Sequence, residues 1–323
     1  MVPSGSREAL SGPSNPPPQG YGESTLGEVA QSEPVRLPDL SMVFGRRAER
    51  LKALAEGHEL QGFLSMISAI VVAQESALRA LPPGSLPGAA EVAKAKLVRR
   101  APLDPELWKR DGSWRAALSH ILAEVDRATL PAPAAEACKA LEGVSEADLE
   151  TLADQFLEGT VPPAEAGKAV FVAAALQVAW TRMAALLDVA DLGGGDGDQG
   201  TCPACGSPPV AGIVSPGGTK FGHRHLHCSL CATSWRFVRV RCVHCGSTEK
   251  ISFRNLAGTT YLRAECCESC QGYSKVFYLE SMKALEALAD DLGSLGFDVL
   301  VGEEGFARVP NPFVLGVMEQ PEG

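Results

Sequence analysis

Eight of the ten cysteines in this 323-residue chain lie in one short stretch, as four C-x-x-C pairs. The pairs are Cys202 and Cys205, Cys228 and Cys231, Cys242 and Cys245, and Cys267 and Cys270. The first two pairs are separated by 22 residues and the last two pairs by 21 residues. Only 10 residues separate the second pair from the third. Two thiolates three residues apart can hold one side of a metal ion, and a second pair completes a tetrahedron. The spacing therefore predicts two successive four-cysteine metal sites.

Two other uses of cysteine fit this pattern less well. Disulfides are typical of secreted proteins, whereas the sequence begins MVPSGSREAL, without the apolar run of a signal peptide. Thioredoxin-type redox chemistry needs one C-x-x-C pair at the start of a helix. Here the first and third pairs are followed by Gly-Ser and then by strand-like residues. Glycine suits a tight turn whose backbone N–H groups point at sulfur, so these positions also favour metal binding.

The charge of the chain is distributed unevenly around this stretch. The net charge is −10, yet residues 201–275 carry nine Lys and Arg against three Asp and Glu. A basic module between acidic flanks can meet nucleic acid, an acidic protein surface or its own flanks. Hydrophobic residues make up 45% of the chain and no apolar run reaches the length of a membrane span. We therefore expect a cytoplasmic protein without membrane insertion.

The elements that position the cysteines follow from the patterns on their N-terminal side. Residues 1–35 are rich in Pro, Gly and Ser and predict a disordered tail. Apolar residues then recur at helical spacing, so residues 36–192 are predicted to form an all-helical domain. The predicted helices include 60–81, 108–125, 145–158 and 164–190, of which the last is apolar enough to be central. The run GGGDGDQG at 193–200 predicts a flexible, exposed linker.

The cysteine-rich part and the C-terminal part have their own patterns. β-rich segments between the pairs predict two tandem rubredoxin-like or zinc-ribbon modules, residues 201–240 and 241–280, which need metal for stability. The alternating run 234–241 is predicted to place three arginines on one strand face. Residues 281–323 are predicted to hold a C-terminal helix, which begins as early as 279 and ends near 295, and an extended tail packing back on the modules. The predicted fold class is α+β, multidomain.

Asp290 and Asp291 are adjacent acids in the predicted C-terminal helix. Neighbouring helical positions point in different directions, so a paired-carboxylate catalytic site is not expected from them. We interpret them as helix-surface charge or as groups that pack against the basic module.

Taken together, these motifs resemble the FdhE family of formate dehydrogenase accessory proteins. The resemblance rests on CPACGSPPVAGIV, HLHCSLCATSW, VRVRCVHCGS, CESCQGYSK and ALADDLGSLGFDVL, and it extends into the helical part through FGRRAERLKALAEGH. It covers about Leu37 to Phe313. It implies a cytoplasmic, non-enzymatic factor that binds the catalytic subunit of a respiratory formate dehydrogenase before export and is needed for its maturation. It also implies rubredoxin-type iron on the eight paired cysteines.

Four alternatives stay open at this level. Four thiolates suit zinc as well as iron. Cys266 lies beside Cys267 and could replace it as a ligand, although Cys267 keeps the i, i+3 spacing of the other pairs. The chain could also be an electron-transfer or sulfur-handling protein. A nucleic-acid-binding zinc ribbon is disfavoured by the acidic balance; its stacking platform would be Trp235, Phe237, Phe253 and Tyr261.

Overall fold

The computed structural model describes residues 10–11, 33–82, 85–192, 197–217, 219–308 and 311–314. Within these ranges there are nine α-helices: α1 Val43–Ala55, α2 Gln61–Ala80, α3 Ala89–Leu97, α4 Ser113–Glu124, α5 Ala132–Leu141, α6 Glu146–Glu158, α7 Ala166–Ala184, α8 Ala287–Leu292 and α9 Leu295–Glu303. The same ranges contain eight strands: β1 Leu10–Ser11, β2 Val35–Arg36, β3 Pro209–Gly217, β4 Thr219–Cys228, β5 Ser234–Arg236, β6 Ile251–Leu256, β7 Leu262–Cys267 and β8 Gly272–Tyr278. The predicted α+β class, with helices preceding two four-cysteine regions, is confirmed.

Helix α7 lies at the centre of the helical part. It is buried on all sides because almost every side chain from Ala169 to Ala184 is apolar, and α2, α4, α5 and α6 pack around it. The prediction that this helix is central is confirmed. Helix α2 is long and apolar enough by length and composition to cross a membrane. In this structure its inner face, with Leu64, Ile67 and Ile70, is fully buried among the other helices.

Helix boundaries follow local capping groups. The predicted helix 145–158 is confirmed: Ser145 Oγ accepts from Asp148 N at 3.2 Å, and Gly159 ends the helix with a φ of 72°. The predicted start at 108 is wrong, because Asp111 Oδ1 accepts from Ser113 N at 2.9 Å and fixes a turn just before α4.

The strands form one continuous sheet in the order β1-β6-β7-β8-β3-β4-β5-β2. The two four-cysteine regions each supply three of these strands, β3 to β5 and β6 to β8. They join edge to edge because β3 pairs with β8 in parallel, Ile213 opposite Phe277. All other neighbours are antiparallel. The two regions therefore share one sheet instead of forming separate antiparallel units, which the sequence did not predict.

The predicted tail and linker differ in part from the structure. Residues 1–9, 12–32 and 193–196 lie outside the described residues. Leu10 pairs with Leu256, and Val35 is buried and pairs with Trp235, so the prediction of disorder is wrong at these positions. The prediction of an exposed linker is also wrong at Gly197, which is buried, whereas Asp198 is exposed. Gly197 O accepts from Val238 N at 2.7 Å, and Gln199 O accepts from Trp235 Nε1 at 2.8 Å.

The C-terminal part contains two short helices where one long helix is predicted. Helix α8 begins late because Glu286 Oε2 accepts from Ala289 N at 2.7 Å and caps it. It packs against both α1 and β3. The C-terminal part therefore contacts the helical part as well as the sheet, whereas only the second contact is predicted.

Candidate metal centres

The first four-cysteine group contains Cys202, Cys205, Cys228 and Cys231, with all four Sγ atoms within 4.8 Å of one another. Cys202 Sγ lies 3.5 Å from Cys231 Sγ, and Cys205 Sγ lies 3.4 Å from Cys228 Sγ. A tetrahedron with metal–sulfur bonds of about 2.3 Å has sulfur–sulfur edges of about 3.8 Å. These separations are far longer than a disulfide bond, and all four thiols are free. The donor set fits a tetrahedral thiolate-bound ion.

The second four-cysteine group contains Cys242, Cys245, Cys267 and Cys270 and has the same geometry. Cys242 Sγ lies 3.6 Å from Cys270 Sγ, and Cys245 Sγ lies 3.7 Å from Cys267 Sγ. The structure thus brings the eight predicted ligand residues together in the two predicted sets of four. Both groups can hold a metal ion.

All four C-x-x-C turns share one backbone conformation. The residue after the second cysteine is left-handed in each: φ is 78° at Gly206, 58° at Ala232, 73° at Gly246 and 55° at Gln271. In the first turn Gly206 N donates to Cys202 O at 2.8 Å. Sequence reasoning finds this conformation only at the two glycines, because alanine and glutamine rarely adopt it.

The pKa values of the cysteine thiols show which sulfurs the protein alone does not stabilise as thiolates. Burial raises the pKa of Cys202 and Cys228. Burial also opposes ionisation of Cys267, but backbone N–H groups of Cys270 and Ser269 lower the pKa of Cys267 to about 7. Only some thiolates in each group are stabilised by the protein alone. A bound cation would stabilise the rest, so metal binding should release protons.

The two groups differ in solvent exposure. All four cysteines of the first group are buried, and its turns lie against the helical part. Leu103 N donates to Ala204 O at 2.9 Å, and Gln177 Nε2 donates to Ser229 O at 2.8 Å. In the second group Cys245 and Cys270 are exposed.

The two remaining cysteines lie outside these groups. Cys266 is on β7, buried, with its Sγ 4.0 Å from Ala264 O, and burial raises its pKa to about 12. Cys267 and not Cys266 therefore contributes to the second group. Cys138 is fully buried in the helical core, as a small apolar residue would be.

The predicted arginine strip is wrong. Strand β5 ends at Arg236, and Arg239 and Arg241 follow in a turn in which Val240 has a φ of 59°. They therefore do not share a strand face with Arg236. Trp235 and Phe237 are buried, so they cannot stack on nucleic-acid bases.

The adjacent acids Asp290 and Asp291 are buried, so helix-surface charge is the wrong interpretation. Asp290 accepts from Arg50 Nη2 at 2.6 Å. Asp291 pairs with Lys275 Nζ at 3.0 Å, which confirms packing against the basic module. Lys275 Nζ also lies 2.6 Å from Asp298 Oδ2. Arg308 forms ion pairs with Asp291 and with Asp298. Sequence reasoning missed this cluster of two acids and two cations because its members are far apart in the chain.

Comparisons with known proteins cover nearly the whole described region. Family models match as FdhE, N-terminal, over residues 32–194, as FdhE, central domain, over 201–239, and as FdhE, C-terminal domain, over 240–314. A protein named FdhE homolog from Pseudomonas aeruginosa is 39% identical over 294 residues, 87% of this chain and 93% of the relative. A FdhE homolog from Proteus mirabilis is 37% identical over 281 residues, 85% of this chain and 89% of the relative. The crystal structure of FdhE from Pseudomonas aeruginosa matches with a TM-score of 0.77 and 34% identity, over 87% of this chain and 98% of that chain.

Proposed function

Since the chain belongs to the FdhE family, we propose that it is a cytoplasmic accessory protein required for maturation of a respiratory formate dehydrogenase. In this role it binds the catalytic subunit of that enzyme before export. It acts by binding and carries out no catalytic step of its own.

The observation that carries this proposal is the extent of the family match together with the retained sites. The similarity includes the helical part and both cysteine regions, and both four-cysteine groups are assembled. A domain that only shared the ribbon motif would match over the cysteine region alone.

The eight paired cysteines would hold two ions, one in each group. Rubredoxin-type iron is the favoured occupant, and zinc suits the same ligands. Four cysteine ligands fill a tetrahedral shell and leave no open position for a substrate, which is typical of structural or electron-transfer sites. This supports a binding role over metal-centred hydrolysis.

Deletion of the gene in its own host tests the proposed role. We expect membranes of the deletion strain to lose formate oxidation with an artificial electron acceptor, and a plasmid copy of the gene to restore it. Tagged protein should also copurify with the catalytic subunit from the cytoplasmic fraction. Full formate dehydrogenase activity in the deletion strain would contradict the proposal.

One observation favours a second candidate, electron transfer through the cysteine-bound ions. Cys245 and Cys270 are exposed, so an ion in the second group lies close to the surface, where a redox partner can approach. A reversible one-electron potential of the iron-loaded protein would support this role. Equal function of zinc-loaded and iron-loaded protein in client activation would exclude it.

A further inference from the structure

We propose that the two four-cysteine groups have different tasks: the first is a fixed structural site, and the second exchanges its ion with a thiolate acceptor. The inference rests on the proposal that both groups hold metal. The two tasks follow from the difference in solvent exposure between the two groups.

The first group is enclosed. Cys202, Cys205 and Cys231 have no exposed surface and Cys228 is 3% exposed. Its turns are hydrogen-bonded to the helical part through Ala204 O and Ser229 O. An acceptor can therefore reach these sulfurs only after the helical part separates from the two cysteine turns, which requires opening the main apolar core.

The second group is open on one side. One cysteine of each turn, Cys245 and Cys270, is exposed, and each would supply one ligand to an ion in this group. The two buried cysteines of the group, Cys242 and Cys267, line a crevice of about 10 Å³, roughly the space of one water molecule. Two of the four sulfurs can thus be approached without any movement of the core.

A cation lies beside the second group. A Cβ at Gly246 would be 3.5 Å from Arg241 Nη2, so the guanidinium group borders the third cysteine turn. Arg241 Nε is buried and has no hydrogen-bond partner within the described residues. At the equivalent position of the first group, a Cβ at Gly206 would be 3.2 Å from Asp104 Oδ2, and Asp104 is already paired with Arg100.

This arrangement suits an incoming anion at the second group only. Four thiolates around a divalent ion carry two net negative charges, which repel a further thiolate. The Arg241 guanidinium offsets that repulsion, whereas a neutral Asp104–Arg100 pair does not. The acceptor we infer is a dithiol, on a small molecule or on a partner protein.

Exchange is a ligand substitution without oxidation or reduction. A sulfur of the acceptor, having lost its proton, binds the ion as the sulfur of Cys245 or Cys270 leaves. The second sulfur of the dithiol displaces the other exposed cysteine, and the two sulfurs of a second dithiol then displace Cys242 and Cys267, so the ion leaves with its charge unchanged. The four protons lost by the two dithiols are taken up by the four freed cysteines.

The experiment uses full-length protein loaded with two zinc ions. Excess 4-(2-pyridylazo)resorcinol reports released zinc by its absorbance, with and without 2,3-dimercaptopropanol at a concentration far below that of the dye, so that zinc taken by the dithiol passes on to the dye. We expect two phases of one ion per chain each, the slow phase at least about tenfold slower because it needs core opening. We expect the dithiol to accelerate only the fast phase. A single phase for both ions would overturn the inference.

Alkylation identifies which ion leaves first without relying on a variant that must fold. Iodoacetamide added after the fast phase should label the four cysteines of the second group and leave those of the first group unlabelled. Labelling of the first group at this stage would overturn the inference. Protein that binds no metal under reducing conditions would overturn both this inference and the metal-binding proposal, whereas simultaneous release overturns only the former.

Arg241→Gln is the matched variant for the role of the cation. We expect it to slow the dithiol-driven fast phase severalfold and to leave the slow phase unchanged. Arg236→Gln, an exposed arginine on β5, serves as the control and should change neither phase. Equal effects of the two variants would remove Arg241 from the mechanism.

Discussion

The residue after each C-x-x-C pair determines how well its turn is tolerated. Gly206 and Gly246 adopt the left-handed conformation freely, whereas Ala232 and Gln271 adopt it against their preference. Four equivalent turns in one chain thus contain two relaxed and two strained positions, which permits reciprocal substitutions.

Gly206→Ala should lower the free energy of unfolding by about 1–2 kcal/mol, because the new side chain is left-handed. Its Cβ would also lie 3.2 Å from Asp104 Oδ2. Ala232→Gly should raise the free energy of unfolding or leave it unchanged, because glycine adopts the left-handed conformation at this position without strain. Denaturant unfolding of the metal-loaded variants measures both, and stabilisation by Gly206→Ala would contradict the interpretation of these turns.

Lys275 is the residue on which the buried charge cluster depends. Its Nζ lies 3.0 Å from Asp291 Oδ1 and 2.6 Å from Asp298 Oδ2, and the side chain is fully buried. Lys275→Met would leave two buried carboxylates with Arg308 as their single remaining cation among the described residues and should destabilise the protein by about 3–5 kcal/mol.

Arg79→Met is the control for that substitution. Arg79 pairs with Glu75 on the surface of α2, and its side chain is 72% exposed. Its removal should change the free energy of unfolding by less than about 1 kcal/mol. Similar losses from the two variants would show that the buried cluster contributes no more than a surface pair.

At the scale of elements, α7 connects the helical core to the first four-cysteine group. Gln177 is buried, donates to Ser229 O at 2.8 Å and accepts from Gln74 Nε2 at 3.0 Å. The Ser229 carbonyl belongs to the second cysteine turn, so α7 holds that turn in place. The helix thereby supports the sulfur geometry without contributing a ligand.

Gln177→Ala should destabilise the protein by about 1–3 kcal/mol, because it leaves the Ser229 carbonyl without its donor. It should also accelerate release of the more slowly released zinc ion. Gln61→Ala, at an exposed position at the start of α2, is the control for loss of a glutamine side chain. Zinc release that stays unchanged in Gln177→Ala would show that α7 does not restrain the first group.

The elements also show where sequence reasoning succeeds and where it stops. The cysteine spacing and the apolar pattern of α7 are local signals, so the ligand sets and the central helix follow from them. The parallel pairing of β3 with β8 and the binding of Lys275 by Asp298 join residues distant in sequence, which no local pattern encodes. The sequence predicts a tail at Val35 because its Pro- and Ser-rich neighbours outweigh one apolar residue, whose partner Trp235 is distant in the chain.

At the scale of the whole molecule, the helical part, the sheet and the C-terminal part share one apolar core. The buried cluster runs from Phe44 through Trp180 and the first four-cysteine group to Val301 and Phe313. Metal at the first group is therefore expected to stabilise the entire fold, because it fixes two turns within that core.

Stepwise metal removal tests this coupling. Loss of the ion from the second group should lower the thermal midpoint slightly and leave the near-ultraviolet circular dichroism of the buried tryptophans unchanged. Loss of the remaining ion, from the first group, should lower the thermal midpoint by several degrees or more, because about 1 kcal/mol corresponds to a few degrees in a protein of this size. Equal decreases of the thermal midpoint at the two steps would contradict the conclusion that the first four-cysteine group, and not the second, belongs to the shared apolar core.

The metal content and visible spectrum of protein purified anaerobically from its own host, without added metal, test the central claim most directly. Two ions per chain are expected, one for each four-cysteine group. Iron with rubredoxin-like absorption on oxidation is the favoured result, and two zinc ions would keep the sites but confine them to structural support and ion exchange. Protein without metal, with its eight paired cysteines joined in disulfides, would contradict the two-site account.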